Sequence, residues 1–327
     1  MKSGSRATGI LIIGCGAAAR IHSRVLRRMS GIELCYASRD PGRADAYVRR
    51  WGGRRAFGSY ADGLADPSVD IALIATPTVT HRELAVQSLQ AGKHVIVEKP
   101  AFMRSGDCDA VRDVAAVMDR RVFVAENYVY KPLAQYLRRL VTAGDLGDVR
   151  FVALNATKRQ RPEGWRADPS VSGGGALFEG GVHWISFASN IGLEVTSVTG
   201  HRVGERNGPD VSTLVVFQYA TGAVGTLAHS WELAAPLGGL RLSKVQGTSG
   251  AVTFESNGLA AVTTGPGRSL RLMALRDPLG YRAMLGDFIQ ALRTGAPPRF
   301  TLAMAQRDLC FLEQAVRTME QLPPSRG

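Results

Sequence analysis

The feature that most constrains this chain is a short apolar run that stops on glycine: Gly9-Ile10-Leu11-Ile12-Ile13, then Gly14-Cys15-Gly16-Ala17-Ala18-Ala19. A brief, unbroken apolar run suits a strand buried on both faces of a parallel sheet. An amphipathic segment from Arg20 to Met29 follows and reads as a helix. Strand, G-x-G-x-x-A turn and helix, in that order, form the fingerprint of a dinucleotide-binding loop. Gly14 permits the tight turn, Gly16 lets the backbone approach a pyrophosphate, and Ala19 allows close helix packing. The helix N-terminus then presents free N–H groups and positive potential to phosphates. Arg20, in the first turn, is counted with the cofactor contacts.

The pattern repeats downstream. IELCYAS ends a second strand at Ser38, a helix spans about 42 to 51, and DIALIAT at 70–76 reads as a buried strand. A helix over about 80–91 and the run HVIVE at 94–98 follow. Alternating strands and helices predict a doubly wound α/β (Rossmann) domain over residues 1–125. The residue ending the second strand meets the adenine-side ribose. An acid there accepts from a 2′-OH, whereas a small residue beside an arginine accommodates a 2′-phosphate. With Ser38 at that position and Arg39 beside it, NADP(H) is favoured; Asp40, one register on, keeps NAD(H) open.

After Ala125 the character changes. Strand-like runs at about 149–157, 195–204, 211–220, 223–232, 239–247 and 250–255 predict an α+β domain over 126–327, built on a mainly antiparallel, open-faced sheet. Helices at about 280–294 and 302–320 complete it, with the option of packing back on the first domain, and residues 322–327 are expected to fray. An open sheet face is protected by self-association, so a homodimer or homotetramer is expected. Between the first two strands lies Ser172-Gly173-Gly174-Gly175-Ala176-Leu177-Phe178-Glu179-Gly180-Gly181-Val182-His183-Trp184. Glu179 and His183, four apart on a helix, share a face and form a candidate proton-transfer pair. As metal ligands they lack a third partner, so no metal site is expected.

In combination, Gly14-x-Gly16, the segment Ala75-Thr76-Pro77-Thr78-Val79-Thr80-His81 and Ala91-Gly92-Lys93-His94-Val95-Ile96-Val97-Glu98-Lys99-Pro100 resemble the Gfo/Idh/MocA oxidoreductases. The resemblance extends through the second domain. It implies that Glu98-Lys99-Pro100 lies at a nicotinamide, with Lys99 touching cofactor and substrate and Pro100 following a cis peptide. It places Thr76, Pro77, His81 and Asn127 with the cofactor contacts, and Tyr128, Lys131, Trp165 and Arg166 with the substrate. In the family the Gly-Gly-Gly run precedes an Asp four residues before the His, often with another Asp three beyond it. Glu179 and Ser186 stand at those two positions here.

Composition removes other classes. Forty Lys and Arg against 28 Asp and Glu give a net charge of +12, yet the arginines fall on helices and loops without a DNA-reading motif or interleaved aromatics. Nucleic acid is therefore not an expected partner, and an anionic cofactor is the natural beneficiary of the field. The cysteines at 15, 35, 108 and 310 lack metal or disulfide spacing. The N-terminal apolar run is too short for a signal peptide and no stretch spans a bilayer, so a cytoplasmic protein without membrane contact is expected. The expected reaction is hydride transfer between nicotinamide and a secondary alcohol or ketone of a sugar, nucleotide sugar, cyclitol or related polyol. Two alternatives stand beside it: a cofactor-retaining epimerase, elimination or rearrangement enzyme without net redox change, and a nucleotide-sensing protein that does no chemistry.

Overall fold

The computed structural model describes residues 6–321 apart from 206, 235–238, 266, 274 and 275. The chain divides into two compact units: residues 1–125 with 281–305, and 126–280 with 306–327.

The first unit alternates strands and helices in chain order: β1 (Thr8–Ile13), α1 (Ala17–Leu26), β2 (Ile32–Ala37), α2 (Pro41–Trp51), β3 (Arg55–Phe57), α3 (Tyr60–Ala65), β4 (Ile71–Ile74), α4 (His81–Gln90), β5 (His94–Glu98), α5 (Asp107–Val117) and β6 (Val122–Ala125). All six strands pair in parallel, in the order β3-β2-β1-β4-β5-β6. Ile10 through Ile13 are fully buried, which is why β1 reads as continuous apolar sequence rather than as an alternation. The strand order reverses direction between β1 and β4, and ligands of open α/β sheets bind beyond the strand C-termini at that switch. Register brings Ile13 beside both Ala37 and Ile74, and Ile74 beside Val97. Gly14, Ser38, Ala75 and Glu98 therefore leave the sheet at one edge.

The second unit holds α6 (Pro132–Thr142), β7 (Val149–Thr157), α7 (Pro169–Ser172), α8 (Val182–Ser189), and the strands β8 (Val195–Val203), β9 (Ser212–Tyr219), β10 (Val224–Ser230), β11 (Leu242–Gly247), β12 (Ala251–Glu255), β13 (Ala260–Thr264) and β14 (Ser269–Leu272). Its sheet runs β14-β13-β12-β11-β7-β10-β9-β8, antiparallel throughout except where β10 pairs with β7. One face is core: Val152, Leu154, Val215, Phe217, Leu227, Val245, Val252 and Phe254 are all buried. The opposite face carries Phe151, Leu214, Leu242, Val262 and Leu270, all exposed. Helix α9 (Tyr281–Thr294) belongs to the first unit, and α10 (Leu302–Gln321) starts in the first and continues in the second. No helix among the described residues is long and apolar enough to cross a membrane. The terminal segment 322–327, for which fraying was expected, lies outside the described residues.

Candidate active-site residues in the two units

In the first unit the glycine turn is built as the fingerprint requires. Gly14 has φ +92°, and a Cβ there would sit 2.8 Å from Thr76 Cγ2 and 3.0 Å from the Ala75 carbonyl oxygen. Only glycine fits that turn without strain. Gly16 is different: its backbone is extended, and a Cβ on it would meet nothing within 4 Å. The glycine keeps open a space that a side chain would fill, directly at the N-terminus of α1, where no side chain caps the helix. A pyrophosphate fits that cradle. Ala19 is fully buried, letting α1 lie close on the sheet. The Arg20 side chain is exposed on the same turn.

At the end of β2, Ser38 is buried and its Oγ accepts from the Asp40 amide at 3.2 Å. Asp40 caps α2, accepting from the Arg43 amide at 3.4 Å, and its other oxygen lies 3.3 Å from Arg43 Nε. Arg39 is exposed, with no ion pair among the described residues.

Beyond β4, Thr76 Oγ1 and Thr80 Oγ1 are 2.7 Å apart, and Thr80 Oγ1 donates to the Pro77 carbonyl. The His81 ring is 1% exposed and bridges two backbones: Nε2 lies 2.9 Å from the Thr76 carbonyl, and Nδ1 3.0 Å from those of Pro100 and Ala101. Burial pushes its pKa down, against the pull of those carbonyls and of Glu98. His81 thus ties the loop after β4 to the loop after β5. Glu98 ends β5 buried, accepting from His22 Nε2 of α1 at 2.5 Å and from the Lys99 amide at 3.1 Å. Burial raises its carboxyl, but the His22 hydrogen bond, the His22 charge and Lys99 outweigh that and hold it below the usual carboxylate range. The helix carrying the glycine turn and the strand delivering Lys99 are therefore fastened to one another. Lys99 itself is partly exposed and precedes a cis peptide to Pro100.

In the second unit, the glycine run is dictated by what lies against it. A Cβ on Gly173 (φ +100°) would come within 2.2 Å of the Phe178 ring, and one on Gly175 within 2.2 Å of Asp210 Oδ1. Asp210 then accepts from the Leu177 amide at 2.7 Å and starts the helical turn. Burial raises its carboxyl despite that bond. Residues Leu177–Gly181 form a π-helical turn running into α8, a local widening that sequence spacing did not reveal. Such turns often mark functional sites. The two glycines inside it are the readable signal: a Cβ on Gly180 would press on the Trp231 ring at 3.2 Å.

Glu179 and His183 emerge from this segment with different partners. Glu179 Oε1 accepts from Arg166 Nε at 2.9 Å, and the Arg166 guanidinium lies 4.4 Å over the Trp165 ring. His183 Nδ1 lies 2.8 and 2.9 Å from the two oxygens of Glu126, a residue sequence reasoning did not single out. Glu126 is buried and also accepts from the Tyr128 amide at 2.9 Å. The Tyr128 ring stacks on His183, centroids 4.3 Å apart and planes 11° apart. Lys131 Nζ sits 3.4 Å from the Tyr128 centroid, buried, with its pKa brought down to about 8 by burial against the opposing pull of Glu126 and Glu255. Asn127, read from the resemblance as a cofactor contact, is buried and donates to the Leu279 carbonyl at 2.7 Å. On α8, Ser186 stands in a buried group with Asn190 and Asp308. Asp308 accepts from Arg307 and Asn190, and burial raises its pKa to about 6 against the pull of Arg307 and the Ser186 hydrogen bond.

Comparison with known proteins agrees across both units. The family model described as "Oxidoreductase family, NAD-binding Rossmann fold" matches residues 8–126, and "GFO/IDH/MocA C-terminal domain" matches 134–253. A trans-1,2-dihydrobenzene-1,2-diol dehydrogenase of Bos taurus is 30% identical over 218 residues, covering 63% of this chain and 62% of its own. A levoglucosan dehydrogenase of Pseudarthrobacter phenanthrenivorans is 26% identical over 287 residues, covering 75% of this chain and 72% of its own. The crystal structure of an NAD binding oxidoreductase from Klebsiella pneumoniae superposes with TM-score 0.86 at 19% identity, covering 97% of this chain and 98% of that one, a likeness of fold. The matched stretches span between 51% and 73% of the lengths of the curated relatives.

Proposed function

The chain belongs to the Gfo/Idh/MocA oxidoreductase family, and from that premise we propose that it transfers a hydride between NADP(H) and a secondary alcohol or ketone of a sugar, nucleotide sugar, cyclitol or related polyol. The observation that carries this reading is one sheet edge of the first unit, where the open cradle at Gly16 and the Glu98-Lys99 strand end leave the sheet together. The named relatives that act on a dihydrodiol and an anhydrosugar support the substrate class.

The dinucleotide, when bound, supplies the hydride acceptor or donor at its nicotinamide. The remaining work falls to side chains. In the oxidation direction the carbinol carbon loses hydride and its hydroxyl loses a proton. The Lys99 ammonium donates to the oxygen and stabilises the developing alkoxide, and His183 takes the proton; reduction reverses both roles. Glu179, paired with Arg166 beside Trp165, fixes the face presented to the polyol, with Tyr128 and Lys131 contributing a second polar edge. Thr76, Pro77 and the backbone braced by His81 support the nicotinamide end, with Asn127 grouped among the cofactor residues.

The preference for the phosphorylated cofactor rests on Ser38 and Arg39. A neutral serine ends β2, an exposed arginine follows it, and the nearby acid, Asp40, is engaged in capping α2. Dissociation constants for NADPH and NADH decide this point. Tighter NADPH binding that Arg39→Ala weakens about tenfold, with NADH binding unchanged, is expected; a preference for NADH overturns it. Hydride transfer is tested with reduced nicotinamide deuterated on either face of C4 and the keto forms of a panel of sugars, anhydrosugars, cyclitols and sugar phosphates. Deuterium appearing on the product carbinol carbon supports the reading, and products without the label contradict it. Self-association through the exposed sheet face as a homodimer or homotetramer completes the proposal.

A further inference from the structure

We propose that Glu126 is the positioning residue of His183, fixing the imidazole with its proton on Nδ1 so that proton exchange with substrate falls to Nε2. This rests on the reading of His183 as the proton-exchanging group. A carboxylate only accepts hydrogen bonds, so a ring nitrogen held by both of its oxygens, at 2.8 and 2.9 Å, carries the proton. In a neutral imidazole the lone pair then belongs to the other nitrogen, because the hydrogen bond at one nitrogen sets the state of the other.

Glu126 is itself held. Its side chain is 2% exposed, and Oε1 accepts from the Tyr128 amide at 2.9 Å as the chain leaves β6 and enters a short 3-10 turn, Asn127–Tyr130. That turn supplies a second restraint at right angles to the first. The Tyr128 ring lies nearly parallel to His183, 4.3 Å between centroids, while Trp184 meets Tyr128 edge-on at 5.6 Å. The in-plane hydrogen bond fixes rotation of the imidazole within its plane, and the stacked ring opposes tilting out of it. Glu126 at the head of the turn and Tyr128 within it thus hold the ring in both directions. When Nε2 gains the substrate proton, the ring becomes an imidazolium beside a carboxylate, a charge-assisted pair that strengthens as the charge appears. The helix acid at four-residue spacing, Glu179, has its Oε1 engaged with Arg166.

The test combines a spectroscopic and a kinetic readout. In wild-type protein labelled with 15N-histidine, the His183 resonances, assigned by their loss in His183→Ala and followed up to a pH at which the ring is neutral, are expected to report Nδ1 protonated and Nε2 unprotonated. The opposite tautomer overturns the proposal, with no dependence on how a variant folds. In Glu126→Gln, whose amide can donate as well as accept, that tautomer preference is expected to weaken and kcat to fall between about 10- and 1000-fold. KM and cofactor affinity are expected to stay within about threefold of wild type, as for a group acting on proton transfer. Glu126→Gln that keeps wild-type kcat while His183→Ala is inactive sinks the positioning role alone. If His183→Ala keeps full turnover, the underlying reading of His183 fails and the positioning role fails with it.

Discussion

At the scale of single residues, two buried carboxyls have opposite effects on stability. The Glu98 carboxyl is held below its usual range, so the folded state releases that proton more readily than the unfolded chain does. Its contribution is present above about pH 4.5 and is lost as pH falls through its folded value. Asp308 is raised to about 6 from 3.8, so the folded state binds that proton more tightly. Its contribution is present below about pH 4 and is lost as pH rises through about 6, a change on the order of 2–3 kcal/mol. Denaturant unfolding of Asp308→Asn between pH 4 and 7 is expected to show a steeper gain of stability with pH than wild type. Parallel wild-type and variant curves contradict the assignment. As candidates, two residues are legible in sequence: Lys99 through its Glu-Lys-Pro setting, His183 through the glycine run ahead of it. The carboxylate that meets His183 was not, because Glu126 lies 57 residues earlier and only the return of the chain brings them together. Ser186 reads in sequence as a departure from the family pattern; the fold sets it in one buried group with Asn190 and Asp308.

At the scale of elements, the glycine turn separates a structural glycine from a ligand-making one. Gly14→Ala must place a Cβ at φ +92° and 2.8 Å from Thr76, a loss of about 2 kcal/mol or more. Gly16→Ala finds open space and an extended backbone, so its unfolding midpoint should match wild type. Its cofactor dissociation constant should nevertheless rise about tenfold or more, because the methyl occupies the pyrophosphate's place. Thermal unfolding and a cofactor titration on the two variants check this. Unimpaired binding by Gly16→Ala means that the cradle is not used. Strands with continuous apolar runs, such as β1, β4 and β5, were readable from pattern alone. The three-residue β3, which opens on Arg55, and the exposed edge strand β14 carry no such pattern, since each is fixed by pairing with neighbours rather than by its own periodicity. The π-helical turn at Leu177–Gly181 is likewise set by tertiary contacts against Asp210 and Trp231.

At the scale of the molecule, the α/β unit followed by a mainly antiparallel sheet follows from the change of pattern after Ala125, which local sequence carries. The packing of the C-terminal helices back on the first domain stands in the sequence only as an option; α9, some 150 residues later, is built into the first unit, where Phe288 stacks on Phe123 at 5.0 Å. The outer sheet face, with Phe151 and Leu270 more than 60% exposed, predicts self-association. Light scattering should return a dimer or tetramer mass, and Phe151→Glu should lower it; a monomeric wild type contradicts that. The proposed function rests on Lys99 and His183 carrying out the proton and oxygen chemistry of a nicotinamide hydride transfer. Its most direct test is the rate of change at the reduced-nicotinamide absorbance band, with wild type, Lys99→Ala and His183→Ala, on the sugar or polyol turned over fastest. Each variant is expected to lose about 100-fold or more in kcat while still binding cofactor, and undiminished turnover by either would contradict the account.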